Sequence, residues 1–137
     1  MTGQQVTTAP TGFNYSTKIT SLSAYSVGST DFFMYSQGVE GFNIADFQWG
    51  TINAKTVTLS FWVQSSLTGI FGGSLDSITY GSYPFTYTIS SANTWQQITI
   101  TIAGPTTSGT FNTTNGAGFY VRFGLGVGSS YSATGNS

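Results

Sequence analysis

Apolar and polar residues alternate along several short runs of this chain, and this spacing constrains the fold more than any other feature. In residues 57–64, apolar Val57, Leu59, Phe61 and Val63 are separated by Thr58, Ser60, Trp62 and Gln64. Because successive side chains of a strand point to opposite faces of a sheet, this run predicts a strand with one buried face. The same alternation covers residues 83–89, 95–102 and 119–125, and in the last run Phe119, Val121, Phe123 and Leu125 are expected to point inward. Weaker strands are expected over residues 15–22 and 31–37.

Turn-forming residues separate these runs. Gly72-Gly73, Ser90 to Asn93, Gly104-Pro105 and Asn115-Gly116 are predicted to be turns between strands. Helical periodicity is nearly absent, apart from one short turn expected within residues 42–47. Many short strands joined by such turns predict an all-β fold, an antiparallel β-sandwich or barrel. Residues 1–137 are interpreted as one domain, in which residues 126–137 form a loop-like tail.

Charge is scarce, which excludes several classes of function. The chain has three basic and four acidic residues, a net charge of −1, and neither His nor Cys. Most catalytic sites need such groups as bases, nucleophiles or metal ligands, so we expect a protein that is not an enzyme. A net charge near zero gives little attraction to nucleic acid, and no apolar run is long enough to insert across a membrane. The chain instead carries 11 Phe, 8 Tyr and 3 Trp, a composition typical of a binding or assembly module.

Two of the strand-like segments resemble carbohydrate-binding modules of the jelly-roll type. They are Thr56 to Val63, with the sequence TVTLSFWV, and Thr94 to Ile102, with the sequence TWQQITITI. Further segments look like the carbohydrate-binding-like domain of bacteriophage tail fibres and related virion proteins. These are Thr2–Phe13, Glu40–Phe47, Trp49–Thr51, Gln64–Gly69, Phe71–Gly73, Ser82–Ile89 and Phe123–Tyr131.

This resemblance implies a jelly-roll sandwich that belongs to a virion and acts outside the cell. It implies a homo-oligomer, a trimer if the chain follows fibre architecture, that contacts other virion proteins and a host surface glycan. Members of the family continue into a further apolar strand beyond the segment that matches Phe123–Tyr131. We therefore expect this chain to lack a closing strand and to leave a sheet edge for another subunit, or another part of a longer chain, to cover.

Trp62, Tyr120, Arg122 and Trp49 are the candidate glycan-binding residues. Trp62, Tyr120 and Arg122 lie opposite the predicted core positions of their strands, and an exposed ring beside a guanidinium suits sugar recognition. The alternative is structural: Trp62 would be covered by the loop at residues 46–51, and Arg122 would pair with a carboxylate such as Asp46 or Glu40. Trp49 would then plug one end of the sandwich rather than form a binding lip.

The acidic residues allow two further interpretations, and we favour neither. Glu40 and Asp46 are a candidate glycosidase pair, but no neighbouring residue indicates a tuned pKa. Asp31, Glu40, Asp46 and Asp76 are weak candidates for a structural calcium ion, although no Asp-x-Asp cluster occurs. No cofactor is expected otherwise.

Three functions remain open. The first is a tail-fibre module that recognises host glycan weakly and in many copies. The second is a purely structural subunit of a capsid, fibre or filament. The third is a carbohydrate-binding module of a secreted bacterial protein.

Overall fold

A computed structural model describes residues 1–79, 81–107 and 109–133, which form eight strands and three short 3-10 turns. The strands are β1 (Thr2–Val6), β2 (Ser16–Thr20), β3 (Phe32–Glu40), β4 (Val57–Val63), β5 (Gly69–Ser77), β6 (Gly81–Ile89), β7 (Gln96–Ile102) and β8 (Ala117–Val127). The 3-10 turns are Gly41–Asn43, Ala45–Phe47 and Ser129–Tyr131. The strands expected from alternation are all present, and the short turn expected within residues 42–47 forms as the first two 3-10 turns.

The strands pair in a nested, antiparallel order. β3 pairs with β8, β4 with β7, and β5 with β6, while β5 also pairs with β8. The result is a four-stranded sheet in the order β3-β8-β5-β6, a two-stranded sheet β4-β7, and a separate hairpin β1-β2. The prediction of an all-β, antiparallel sandwich is confirmed.

The core lies between the inward faces of the four-stranded sheet and the β4-β7 sheet. The Phe61 ring of β4 packs edge-on against Phe123 of β8 at 4.8 Å and against Tyr87 of β6 at 5.2 Å, measured between ring centroids. Since these contacts cross from one sheet to the other, Phe61 marks the inner face of β4. The most buried apolar residues are Ile44, Trp49, Leu75, Phe85, Tyr87, Ile89, Ile102 and Phe119.

The prediction of a turn at Gly72-Gly73 is wrong, because both residues lie inside β5. Gly73 is opposite Phe85 on one side and Phe123 on the other. A Cβ atom built on Gly73 would come within 2.5 Å of Cζ of Phe85. Gly73 is therefore needed for close packing within a strand. A local sequence pattern does not distinguish a glycine needed for packing from a glycine in a turn.

Leu125 is also placed differently from the prediction. Phe33 pairs with Gly126 and Met34 with Gly124, so Leu125 is an extra residue in the ladder between β3 and β8. Such a bulge interrupts the alternation of side chains. Leu125 is consequently 39% exposed instead of pointing into the core.

β8 extends into the segment that was expected to be a tail. Gly126 and Val127 pair with Phe33 and Phe32, and the 3-10 turn Ser129–Tyr131 follows. Residues 134–137 of the predicted tail lie outside the described residues.

Each strand has a partner, yet the sheets keep open edges within the described part of the chain. β4 and β7 pair only with each other, so each has one unpaired edge, and β3 and β6 form the outer edges of the four-stranded sheet. What covers these edges in an assembly stays a prediction.

Candidate functional site

Three of the four candidate residues, Trp62, Tyr120 and Arg122, lie on two opposite outer surfaces of the sandwich. Phe123 of β8 and Phe61 of β4 meet in the core, so their chain neighbours Arg122 and Trp62 point away from it in opposite directions. Tyr120 is two residues before Arg122 and shares its face. The structure therefore brings Tyr120 and Arg122 together and separates both from Trp62.

Arg122 forms the central contact of the candidate site. Its guanidinium carbon lies 5.4 Å from the ring centroid of Tyr120, and its Nη1 atom lies 3.0 Å from Oδ2 of Asp76. Arg122 thus pairs with a carboxylate, as the structural alternative required, but the partner is Asp76 instead of Asp46 or Glu40, which were given as examples. Asp76 is on β5, where the strand register places it opposite Tyr120.

Ser74 completes this group, because its hydroxyl donates to Oδ2 of Asp76 at 2.9 Å and it lies opposite Arg122. We call Tyr120, Arg122, Asp76 and Ser74 the outer-face cluster. The Asp76 side chain is 17% exposed and that of Arg122 is 36% exposed. Because this ion pair is only partly exposed to solvent, it keeps both side chains oriented and still leaves part of each polar group accessible.

The neighbouring strand gives the cluster a shallow shape. Gly38 of β3 is opposite Tyr120, and a Cβ atom on Gly38 would lie 3.3 Å from Cε1 of the Tyr120 ring. Because glycine has no side chain, nothing at position 38 crowds the Tyr120 ring. Ser36, two residues earlier, pairs with Arg122 and adds a small polar residue. These small residues leave the cluster as a low platform on the sheet face.

Trp62 forms a separate and simpler surface. It is 38% exposed, so the loop at residues 46–51 does not bury it as the structural alternative required. It pairs with Gln97 of β7, whose amide nitrogen donates to the Ser60 hydroxyl at 3.2 Å. This face combines one indole ring with neutral amide and hydroxyl groups.

Trp49 is buried, as its interpretation as a plug requires, and it does not present an exposed ring as a binding lip would. Only 9% of it is exposed, and its Nε1–H group donates to the Lys55 carbonyl at 2.8 Å. Its ring stacks on Phe119 at 5.5 Å between centroids. Gln48 and Gly50 on either side have φ angles of 54° and 84°, which turn the chain so that the ring enters the core.

Three of the four calcium candidates have other side-chain interactions. Asp31 accepts hydrogen bonds from the backbone N–H of Gly28 and the hydroxyl of Tyr25, both at 2.8 Å, and these bonds hold the pKa of Asp31 below its ordinary value. Asp46 lies 4.0 Å from Lys55 across an exposed surface. Within residues 1–79, 81–107 and 109–133, no three acidic residues group as a metal site would require. Glu40 ends β3, and Asp76 belongs to the outer-face cluster.

No family model, curated protein or solved structure matches this chain. The part of the chain that the structure describes also contains no helix that is both apolar and long enough to cross a bilayer. The geometry of the outer-face cluster is thus the main guide to function.

Sequence reasoning missed Asp76 and Ser74 as members of this cluster. Both lie on β5, and the turn expected at Gly72-Gly73 concealed that strand. The signal that was present is the alternation from Ser74 to Asp76 around apolar Leu75, which places the two polar residues on one face.

Proposed function

We propose that this chain is a non-enzymatic recognition module of a virion, of the tail-fibre type, that binds host surface glycan through the outer-face cluster. The observation that carries the proposal is the 3.0 Å ion pair between Arg122 and Asp76 beside the Tyr120 ring, on an outer sheet face. The virion assignment is supported by the resemblance of the sequence segments. The nested strand pairing supports a jelly-roll relationship.

The chemistry of the cluster suits a sugar. An aromatic ring packs on the apolar C–H face of a pyranose, a guanidinium donates to its hydroxyls, and a carboxylate accepts from them. The ion pair between Arg122 and Asp76 orients both groups before a ligand arrives, which lowers the ordering cost of binding.

A shallow platform supports only weak binding by one copy. Single sugar contacts at such a site remain partly solvated, so useful strength requires several sites that engage one surface together. This favours a homo-oligomer on the virion, with a trimer as the form expected from fibre architecture.

The decisive experiment is a glycan array probed with a multivalent display of the intact chain. We expect Tyr120→Ala to abolish binding and Arg122→Lys to weaken it, since lysine keeps the charge but loses the planar fork of donors. Trp62→Ala is the matched control, because it removes an outer-face ring from the opposite side of the molecule.

The possible outcomes separate the proposals. Loss of binding in Trp62→Ala with retention in Tyr120→Ala would move the site to the other sheet. An absence of binding by the unaltered chain across a broad array would contradict glycan recognition and favour a structural subunit. If bacterial gene neighbours encode glycanases and no virion proteins, a secreted carbohydrate-binding module would become the better interpretation.

The structural subunit is favoured by one specific observation. β4 and β7 each present an unpaired edge, and neither strand contains Pro or a charged residue. Proteins that avoid edge pairing usually place such residues on exposed edge strands. Formation of regular filaments or particles by purified protein, seen by electron microscopy in the absence of glycan, would support this function.

A further inference from the structure

A recess that differs chemically from the outer-face cluster lies beside the adjoining ends of β5 and β6. It is a cleft of about 450 Å³, within the size range of small-molecule sites. Its deepest residues are Trp49, Leu75, Ile102 and Phe119, all at most 9% exposed, so the cleft penetrates to the core. Tyr83, Pro105 and Phe111 are among the residues that form its sides.

Hydrogen bonds hold the walls of this cleft in position. The Thr79 hydroxyl donates to the Thr110 carbonyl, which ties the segment between β5 and β6 to the long loop between β7 and β8. The backbone N–H of Gly50 donates to the Pro105 carbonyl at 2.8 Å and fixes the start of that loop. These contacts indicate a recess that exists before any ligand binds.

The lining of the cleft is uncharged and mainly apolar. None of the described residues around it is Asp, Glu, Lys or Arg. The Trp49 N–H group, the polar atom of one of the buried rings, already donates to the Lys55 carbonyl. Apart from the side chains of Ser77, Ser82 and Tyr83, the lining offers water few partners, so replacing water with an apolar molecule is favourable, whereas an ionic ligand would be desolvated without a charged partner.

The cleft and the outer-face cluster lie on opposite sides of one strand. On β5, Leu75 points into the cleft, while Ser74 and Asp76 on either side of it point outward to the cluster. A ligand in the cleft would therefore not occupy the glycan platform, and the two sites can be tested independently.

We propose that this cleft is a binding site for a neutral aromatic compound of one or two fused rings. The rings of Trp49, Tyr83, Phe111 and Phe119 line it, and aromatic pairs gain from ring quadrupoles beyond the burial of area. Because the cleft reaches buried core residues, it suits a small molecule better than a polypeptide segment, which would require a groove along the surface.

The probe for this proposal is indole, followed by NMR of the methyl groups of the intact chain. We expect saturable shifts at the methyl groups of Leu75 and Ile102, and none at Leu67 and Ile70, which are 67% and 77% exposed. Direct magnetisation transfer between indole and Leu75 would place the probe in the cleft. Indole carboxylate, which adds a charge, is expected to bind about tenfold more weakly or worse.

A cleft-filling variant and a matched control complete the test. Ser77 lies on the same side of β5 as Leu75, so Ser77→Leu puts an isobutyl group into the cleft and should weaken indole binding by about tenfold or more. Thr99→Leu makes a similar hydroxyl-to-isobutyl change on the exposed face of β7 and should leave indole binding unchanged.

Several results would overturn the proposal. These are equal affinity for indole and its carboxylate, tighter binding of cyclohexanol or methyl glucoside than of indole, or no saturable shift at Leu75 up to the solubility limit of indole. If Ser77→Leu fails to fold, magnetisation transfer between indole and Leu75 in the unaltered chain still decides the question. Loss of glycan binding in Tyr120→Ala has no bearing on this result.

Discussion

Replacing Gly73 with alanine should destabilise the protein more than the addition of one methyl group suggests. Gly73 lies in β5 between β8 and β6. Its added Cβ atom would clash with the backbone carbonyl of Arg122 and come within 2.5–2.7 Å of the Phe85 ring. The Arg122 carbonyl is held in the sheet ladder, and Phe85 is only 1% exposed, so neither group has room to move.

The expected magnitude follows from two opposing effects. Overpacking a close-packed core costs about 1–3 kcal/mol, whereas alanine in place of glycine in a strand returns about 0.5–1 kcal/mol of backbone entropy. The net loss in the free energy of unfolding is therefore between about 0 and 2.5 kcal/mol, with a midpoint of about 1.3 kcal/mol. For a domain of this size the midpoint lowers Tm by about 4–5 °C.

Gly72→Ala provides the matched control one residue away. A Cβ atom there has only one near neighbour, the Phe85 carbonyl oxygen at 3.8 Å, so the entropic gain should dominate. We expect this variant to be unchanged or more stable by about 0.5–1 kcal/mol. Urea unfolding followed by fluorescence, with the m-value held constant, measures both variants. Equal midpoints for the two variants, or a more stable Gly73→Ala, would refute the close packing described for Gly73.

Three further measurements test other parts of the structure. Trp49→Phe leaves the Lys55 carbonyl without its donor and should lower the free energy of unfolding by about 1–3 kcal/mol, measured in urea; an unchanged midpoint would contradict the buried hydrogen bond. Tyr25→Phe removes one hydrogen bond to the Asp31 carboxylate and should raise the pKa of Asp31 toward its ordinary value, as measured by carboxyl NMR. The folded-state pKa of Asp31 is lowered, mainly by the Gly28 N–H. Any stability that Asp31 contributes is therefore present above its unfolded-state pKa and is lost as the pH falls through its folded-state pKa. Raising NaCl from about 0.1 to about 1 M should change the affinity for a neutral glycan by less than about threefold, and a steep salt dependence would argue against the proposed platform.

Alternation in the sequence predicted much of the sheet structure and half of the candidate site. It placed Tyr120 and Arg122 on the outer face of β8, because strand geometry fixes which neighbours share a face. It also placed Trp62 outside the core, and this residue is 38% exposed. Alternation carries no information about which strands become neighbours, so it did not reveal that Trp62 and Arg122 lie on opposite sides of the sandwich.

The errors have equally specific causes. Gly72-Gly73 has the composition of a turn, but the space required by Phe85 makes glycine necessary inside a strand. Leu125 fits the inward pattern of β8 until the bulge opposite Phe33 and Met34 interrupts it. Both features depend on residues distant in the chain, which a local pattern does not contain.

The sequence by itself determined that this protein is built from strands and that its side chains are mostly apolar, aromatic or neutral and polar, since period-two spacing is a local property and scarce charge is a property of composition. Only the tertiary structure decided which groups meet. Pairing of β5 with β8 joined Asp76 to Arg122, and the left-handed residue before Trp49 helped turn that ring into the core. The physical reason is that a functional site is made by contacts between strands, and strand order is set by how the whole chain packs.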